Sequence, residues 1–397
     1  MKKLIRYKVI THFLRNMTQL EFGSLRIITP KGAVKEFVGK NNAGDLQAEL
    51  KLHDWDVLVN AAKRGDIGLG EDYIAGKWES PDIGALIEVF LRNMQCFEGF
   101  AHGNQLNLVA FRLYNFMRRN NKSGSRRNIK AHYDVGNDFY QLWLDDSMTY
   151  SSALYDGAEL SLSQAQANKY ARILSKISKP NANILEIGCG WGSFAANAAH
   201  SHHNVTALTI SQAQHDFAKT AIAKQGLQSR AQIKLQDYRE ATGQYDAIVS
   251  IEMFEAVGEQ YWASYFQTIK ARLKPEGVAV VQTITIDDLL FDDYRKRSDF
   301  IRQYTFPGGL LPSIARFVEE AAKVGLECKE IYPFGLDYAK TLSEWLVRFD
   351  LAAEQIKAMG YSEQFMRSWR FYMGMCIGAF NAGRTNVVQV ELVHATN

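Results

Sequence analysis

Residues Asn183 to Ser193, NILEIGCGWGS, carry the clearest chemical pattern in this 397-residue chain. Ile184, Leu185 and Ile187 suit a buried parallel strand, and Gly188, Gly190 and Gly192 then let the backbone turn tightly and approach a ligand. A Gly-x-Gly-x-Gly that opens a helix points to a nucleotide-like cofactor, although a ligand-free structural turn can carry the same letters. Glu186 stands just before the first glycine, where S-adenosylmethionine (SAM) enzymes commonly place an acid. The glycine spacing also departs from the dinucleotide fingerprint Gly-x-Gly-x-x-Gly. A second strand, Val205 to Ile210, follows one helix later, and a third, Ile233 to Leu235, ends at Asp237. Together these details favour a SAM site.

Other reactive side chains point to less. Cys96, Cys189, Cys328 and Cys376 form no Cys-x-x-Cys pair, which argues against a disulfide framework or a structural zinc and favours a reducing cytoplasm. His200, His202 and His203 have no acid or cysteine nearby in sequence, so they read as surface histidines, and no metal is expected. The net charge of +3 excludes a general polyanion binder. No apolar run approaches the roughly 20 residues that span a bilayer.

The elements that must position the glycine turn follow from the pattern. From His132 onward strands alternate with helices, at about 184–188, 205–210, 231–236, 246–252, 278–286 and 327–332, with Val387 to Val393 as a late strand. This predicts an α/β doubly wound sheet with its ligand crevice at the strands' carboxyl ends. A helix is expected over Gln260 to Leu273, and Trp369, Phe371, Tyr372 and Phe380 read as helix core. Residues from about Phe22 to Met94 suggest a smaller N-terminal α+β domain: two strands around the turn Pro30-Lys31-Gly32, then helices near Leu52–Lys63 and Ile83–Leu91. The division expected is an N-terminal lipid-approach domain over 1–117, a basic linker over 118–130 and the SAM domain over 131–397. The linker holds Arg118, Arg119, Lys122, Arg126, Arg127 and Lys130 and no acid. It reads either as a solvated face or as a cradle for phosphate head groups. Nucleic acid is not expected, because no aromatic platforms are interleaved. At the N-terminus, Leu4, Ile5, Phe13 and Met17 among basic residues suit a membrane-surface helix or one packed on its own domain, and not a signal peptide.

Stretches around the turn make a closer match. AHYDVGNDFYQLWLD (131–145), MTYSSALYDG (148–157), LEIGCGWG (185–192), LTIS (208–211), LQDYRE (235–240), MFEAVG (253–258), LKPEG (273–277), FPGGLLPS (306–313) and FGLDYAKTL (334–342) occur in that order. From about Arg118 to its end the chain resembles the cyclopropane-fatty-acyl-phospholipid synthases and mycolic acid cyclopropane synthases. GLGEDYIAGKWESPDIGAL (68–86) resembles the leading domain of the phospholipid-acting members.

The resemblance implies a Rossmann-like SAM methyltransferase in the cytoplasm, peripheral at the inner membrane face. Its expected action is addition of the SAM methyl across a cis double bond of a phospholipid acyl chain; a homodimer is compatible with it. By motif match, SAM would be held by Tyr150, Ser151, Gly188, Gly190, Gly192, Thr209, Gln214, Asp237 and Tyr238. An alkene is a feeble nucleophile and its attack leaves a cation, so the pocket must be dry and is best lined by aromatic faces. Tyr294, Tyr304, Phe306 and Phe334 are candidates for that lining or for plain core. A base must then take a proton. The resemblance implies bicarbonate for this, in a cage mapping to Ser152, Glu255, Gln282, Ile284 and Tyr338, the expected catalytic set.

This chain departs from the family at that cage. Tyr150-Ser151-Ser152-Ala153 stands where Tyr-Ser-Cys-Ala is common, Gln282-Thr283-Ile284 where His-Thr-Ile is common, and Ala256 where His is frequent. Glutamine donates a hydrogen bond but neither becomes a cation nor moves a proton, so an anion would be held less tightly or with different timing. Glu255 is then expected to be the base, to orient one, or to cap the helix beginning near Gly258. The product follows as a cyclopropane or as a methyl-branched or methylene chain. A methyltransferase for a soluble small molecule and a lipid-binding protein without catalysis are the alternative readings.

Overall fold

Alternating residues on either side of Pro30-Lys31-Gly32 form a hairpin in which β1 (Ser24–Ile28) pairs antiparallel with β2 (Val34–Val38). The computed structural model describes residues 2–41, 46–97 and 135–396. The basic linker 118–130 and His132 lie outside the described residues. Two compact units emerge. One comprises Met1–Phe116, Tyr294–Thr305 and Leu342–Arg384; the other comprises Met117–Asp293, Phe306–Thr341 and Thr385–Asn397.

In the first unit β3 (Gln47–Leu52) runs parallel to β1, and the short β4 (Trp78–Glu79) pairs antiparallel with β3. The helix Ile83–Arg92 starts where the Asp82 carboxylate accepts the Ala85 N–H at 2.8 Å. Its core joins Phe13, Met17, Leu25, Trp78 and Leu86 to Phe300 and Phe371 from later in the chain. The helix Glu363–Asn381 buries Trp369, Phe371, Tyr372 and Phe380, as their spacing predicts. The N-terminal helix Lys2–Met17 packs through Phe13 and Met17, while Leu4, Ile5 and Tyr7 are exposed. No described helix is long and apolar enough to cross a membrane.

The second unit is a seven-stranded sheet: β5 (Asn183–Ile187), β6 (Asn204–Thr209), β7 (Ala231–Leu235), β8 (Tyr245–Ile251), β9 (Leu273–Ile286), β10 (Leu326–Pro333) and β11 (Thr385–His394), in the order β10-β11-β9-β8-β5-β6-β7. The pairs β5/β6, β6/β7, β5/β8 and β8/β9 are parallel, and β11 runs antiparallel between β9 and β10. Apolar runs such as YDAIVSI are buried on both faces because helices, including Ser193–His200 and Trp262–Arg272, separate the strands in sequence. Successive strands are laid first to one side of β5 and then to the other. The switch point therefore falls between β5 and β8, where open α/β sheets bind ligands.

Candidate active site

The glycine turn leaves the carboxyl end of β5. Gly188, Gly190 and Gly192 all have positive φ, of 84°, 51° and 90°. The N–H groups of Gly188 and Cys189 donate to the Leu208 carbonyl at 3.0 and 2.8 Å, fastening the turn to β6. A Cβ placed on Gly190 would meet no atom within 4 Å, so the turn borders open space. Behind it Glu186 is 3 % exposed, and its Oε2 has no hydrogen-bond partner among the described residues. Burial pushes its carboxyl up to about 8. An orphaned acid beside an open glycine turn fits a ligand that carries amine and hydroxyl donors, as SAM does.

The other expected SAM residues sit at neighbouring strand ends. The Thr209 hydroxyl, ending β6, accepts the Ser211 N–H at 3.2 Å and donates to Gln214 Oε1 at 3.1 Å. Asp237, just past β7, is buried and gripped by Arg239, whose Nε and Nη2 donate at 2.8 and 2.6 Å. Tyr238 stands edge-on to Tyr265, with centroids 5.7 Å apart. Tyr150 packs against Tyr140 and Trp143. Ser151 Oγ accepts from Lys169 Nζ at 2.6 Å.

Three of the five expected cage residues, Ser152, Gln282 and Tyr338, come together about a side chain that the sequence did not single out. Glu252 follows the last residue of β8 and has φ +48°, a left-handed conformation uncommon outside glycine. Its Oε1 accepts the Ser152 N–H and Gln282 Nε2, each at 2.8 Å, and its Oε2 accepts the Tyr338 hydroxyl at 2.7 Å. Its own N–H donates to the Gln282 carbonyl at 2.8 Å. Ser152, Gln282 and Tyr338 are buried, whereas Glu252 stays partly exposed. Enclosure raises the Glu252 carboxyl above its ordinary value, against the Tyr338 hydrogen bond and the Lys169 charge. The amide of Gln282 has one orientation here: Gln389 Nε2 donates to its Oε1 at 3.1 Å, and Arg172 donates to Gln389 Oε1 at 2.9 Å.

Glu255 and Ile284 pair with each other, the Ile284 N–H donating to Glu255 Oε1 at 2.5 Å. Glu255 lies in a single turn, Phe254–Ala256, and its carboxylate does not cap the helix after Gly258. Burial first, and then the Glu252 charge, push its carboxyl up to about 8.

Lys169 was missed with Glu252. It is fully buried, and burial drops its amine to about 7 against the charges of Glu252 and Asp145. The signal available was a lysine on the apolar stripe Ala165, Tyr170, Ile173 of its helix; for Glu252 it was an acid ending an apolar strand. Among the aromatic candidates, Tyr294 lies under Arg302 at 4.1 Å and Tyr304 donates to Glu71 at 2.5 Å, both within the first unit. Phe334 packs near Tyr332 in the second unit, to which Phe306 also belongs. His203 is a correction to the reading of surface histidines: it is buried because its Nδ1 accepts the Ala182 N–H at 3.1 Å. Among the described residues no cluster of histidine, cysteine and acid could hold a metal.

The family described as mycolic acid cyclopropane synthetase matches residues 120–390. A tuberculostearic acid methyltransferase of Mycobacterium tuberculosis is 32% identical over 355 residues, 87% of this chain and 83% of its own. The cyclopropane-fatty-acyl-phospholipid synthase of Escherichia coli is 35% identical over 354 residues, 87% of this chain and 88% of its own. The solved structures of the cyclopropane synthase MmaA2 of Mycobacterium tuberculosis and of mycolic acid cyclopropane synthase CmaA1 with SAH and CTAB each superpose with a TM-score of 0.63. Each is 29% identical and covers 67% of this chain and 97% of its own.

Proposed function

Because the chain belongs to the mycolic acid cyclopropane synthetase family and is a SAM-dependent methyltransferase of fatty acyl chains, we propose that it acts on the cis double bond of an acyl chain still esterified in a phospholipid. The observation that carries this reading is the meeting, at one edge of the sheet, of an open glycine turn after β5 with the carboxylate cage after β8 and β9. The breadth of the matches supports the phospholipid. The tuberculostearic acid methyltransferase and the cyclopropane-fatty-acyl-phospholipid synthase align over 87% of this chain, whereas the mycolic acid synthase structures cover 67% of it. We assign the N-terminal part, together with the basic linker 118–130, to lipid approach at the cytoplasmic face of a membrane. The product is a cyclopropane or a methyl-branched or methylene chain, since a fatty acid methyltransferase and a cyclopropane synthase match at 32% and 35% identity.

Gly188, Gly190 and Gly192 would cradle SAM, with Thr209, Gln214, Asp237 and Tyr238 beyond them and Tyr150 and Ser151 opposite. Bound there, SAM supplies an electrophilic methyl group. Glu186, whose Oε2 has no partner among the described residues, would accept hydrogen bonds from the bound donor, and Tyr140, Trp143 and Tyr150 form an aromatic wall that excludes water. Bicarbonate does not fit this cage as it stands: the donors of Ser152, Gln282 and Tyr338 already serve Glu252, and a second anion beside that carboxylate is repelled. No step is assigned to it.

The test incubates the purified chain with labelled SAM and vesicles of cis-unsaturated phosphatidylglycerol and phosphatidylethanolamine, then identifies the acyl chains by mass spectrometry. Label on a phospholipid acyl chain is expected, together with vesicle binding that weakens as salt rises. Label found only on water-soluble acceptors overturns the reading.

A further inference from the structure

Three donors converge on one carboxylate at the end of β8, and they come from Ser152, Gln282 and Tyr338, chain segments remote in sequence. A carboxylate offers about four acceptor positions. Ser152 and Gln282 occupy Oε1 and Tyr338 takes one position on Oε2, which leaves acceptor capacity on Oε2 among the described contacts. The residue takes its place with a left-handed backbone, φ +48°, which is strained for a residue with a Cβ. Such strain persists where the surroundings over-determine a conformation, as the three side-chain contacts and the Glu252 N–H to Gln282 carbonyl bond do here. The Gln282 departure also finds its reason. A non-titrating donor, pinned by Gln389, holds the Glu252 carboxylate without competing for its proton.

We propose that the Glu252 carboxylate is the proton acceptor of the reaction, a base built into the chain where the resemblance calls for a bound anion. This rests on the acyl-chain reading above. The alkene π pair forms the new carbon–methyl bond as the sulfur–methyl bond breaks, its pair remaining on sulfur, and the acyl chain is left as a cation. A C–H bond of the new methyl then breaks. Its pair closes onto the cationic carbon as a cyclopropane, or, when a hydride has first shifted and moved the cation to the carbon that bears the methyl, forms a methylene double bond; in both cases the proton goes to Glu252. Whether the hydride shifts before the proton leaves decides the product. Glu255, whose carboxyl accepts the Ile284 N–H, is a positioning residue beside Glu252.

The experiment uses the full chain, labelled SAM and the same vesicles in carbon-dioxide-free buffer, with and without added bicarbonate. Wild-type turnover is expected to agree within about 2-fold in the two buffers, because the base is internal. Glu252→Gln should lose about 100-fold or more in turnover while its SAM affinity, read by calorimetry, stays within about 3-fold. Glu252→Gly relieves the backbone and vacates the donors, so added formate should restore turnover by about 10-fold or more. A wild-type rate that collapses without bicarbonate, a Glu252→Gln rate above about one tenth of wild type, or a Glu252→Gly variant that ignores formate overturns the proposal. If the wild-type chain labels no acyl chain at all, the acyl reading itself fails and takes the proposal with it.

Discussion

A Cβ added at Gly190 would meet nothing within 4 Å, whereas one at Gly192 would lie 3.0 Å from the Ala218 Cβ. The first glycine therefore keeps space for a ligand and the second keeps space for a helix. Gly190→Leu is expected to weaken SAM binding by about 10-fold or more, with unfolding shifted only by the left-handed backbone cost of about 1–2 kcal/mol. Gly192→Val should instead destabilise the fold. Calorimetry with SAM beside thermal melts separates the two, and a Gly190→Leu chain that binds SAM normally contradicts the cradle. Glu186 gives a pH test. Its native carboxyl titrates near 8 against 4.5 when unfolded, so the folded chain holds a proton that unfolding releases. The stabilisation is complete below the unfolded value and is lost as pH rises through the folded one. Glu186→Gln should flatten the fall in stability between about pH 5 and pH 8 by up to about 1.4 kcal/mol per pH unit. Denaturant titrations across that range check it, and parallel slopes for the two chains reject it. At this scale the glycine turn was legible because its residues are contiguous. Glu252 was not, because its partners lie 100, 30 and 86 residues away and only sheet register joins them.

Strands β5 to β8, β10 and β11 fall within about two residues of the apolar runs that predict them, whereas β9 begins at Leu273 and not at 278, and β3 and β4 were not legible; β11 lies where VVQVELV alternates. Its insertion between β9 and β10 was not legible, because pairing partners leave no trace in a single strand's pattern. That insertion has a consequence for the cage. It brings Gln389 beside Gln282 in register, and Arg172, from the helix Leu162–Ser175, fixes Gln389 in turn. Gln389→Leu removes the donor to Gln282 Oε1 and frees the amide to rotate, which would turn an oxygen toward the Glu252 carboxylate. Turnover is expected to fall about 10-fold, with the Michaelis constant for SAM nearly unchanged and stability lower by about 1 kcal/mol. Steady-state kinetics read this directly. A raised Michaelis constant for SAM at unchanged turnover would show that the β11 contact serves the cofactor side instead.

The aromatic residues near the C-terminus were legible as helix core, but not the core they would serve, because a chain that leaves a unit and returns to it writes no signal at either crossing. Phe371 packs on Tyr73, Trp78 and Phe300, with ring centroids 5.8, 6.2 and 4.8 Å away. The helix Glu363–Asn381 lies so close to Ile83–Arg92 that a Cβ on Gly374 would come within 2.6 Å of Ile83, and one on Gly378 within 2.7 Å of Ile87. Arg367 closes the same contact by donating to the carbonyls of Tyr73 and Trp78 at 2.6 and 3.0 Å. Residues 1–117 expressed alone would expose Trp78, Tyr73, Ile83 and Ile87 together. Each large side chain forfeits about 1.5–3 kcal/mol of burial, and a domain's whole margin is only about 5–15 kcal/mol. The fragment is therefore expected to aggregate or to melt without cooperativity, with little near-ultraviolet circular dichroism. Residues 342–384 supplied in trans should restore part of that signal, because they carry the missing helix. A fragment that unfolds cooperatively by itself would mean that β1 to β4 and the helices packed on them close a sufficient core, and that the returning helix only covers it.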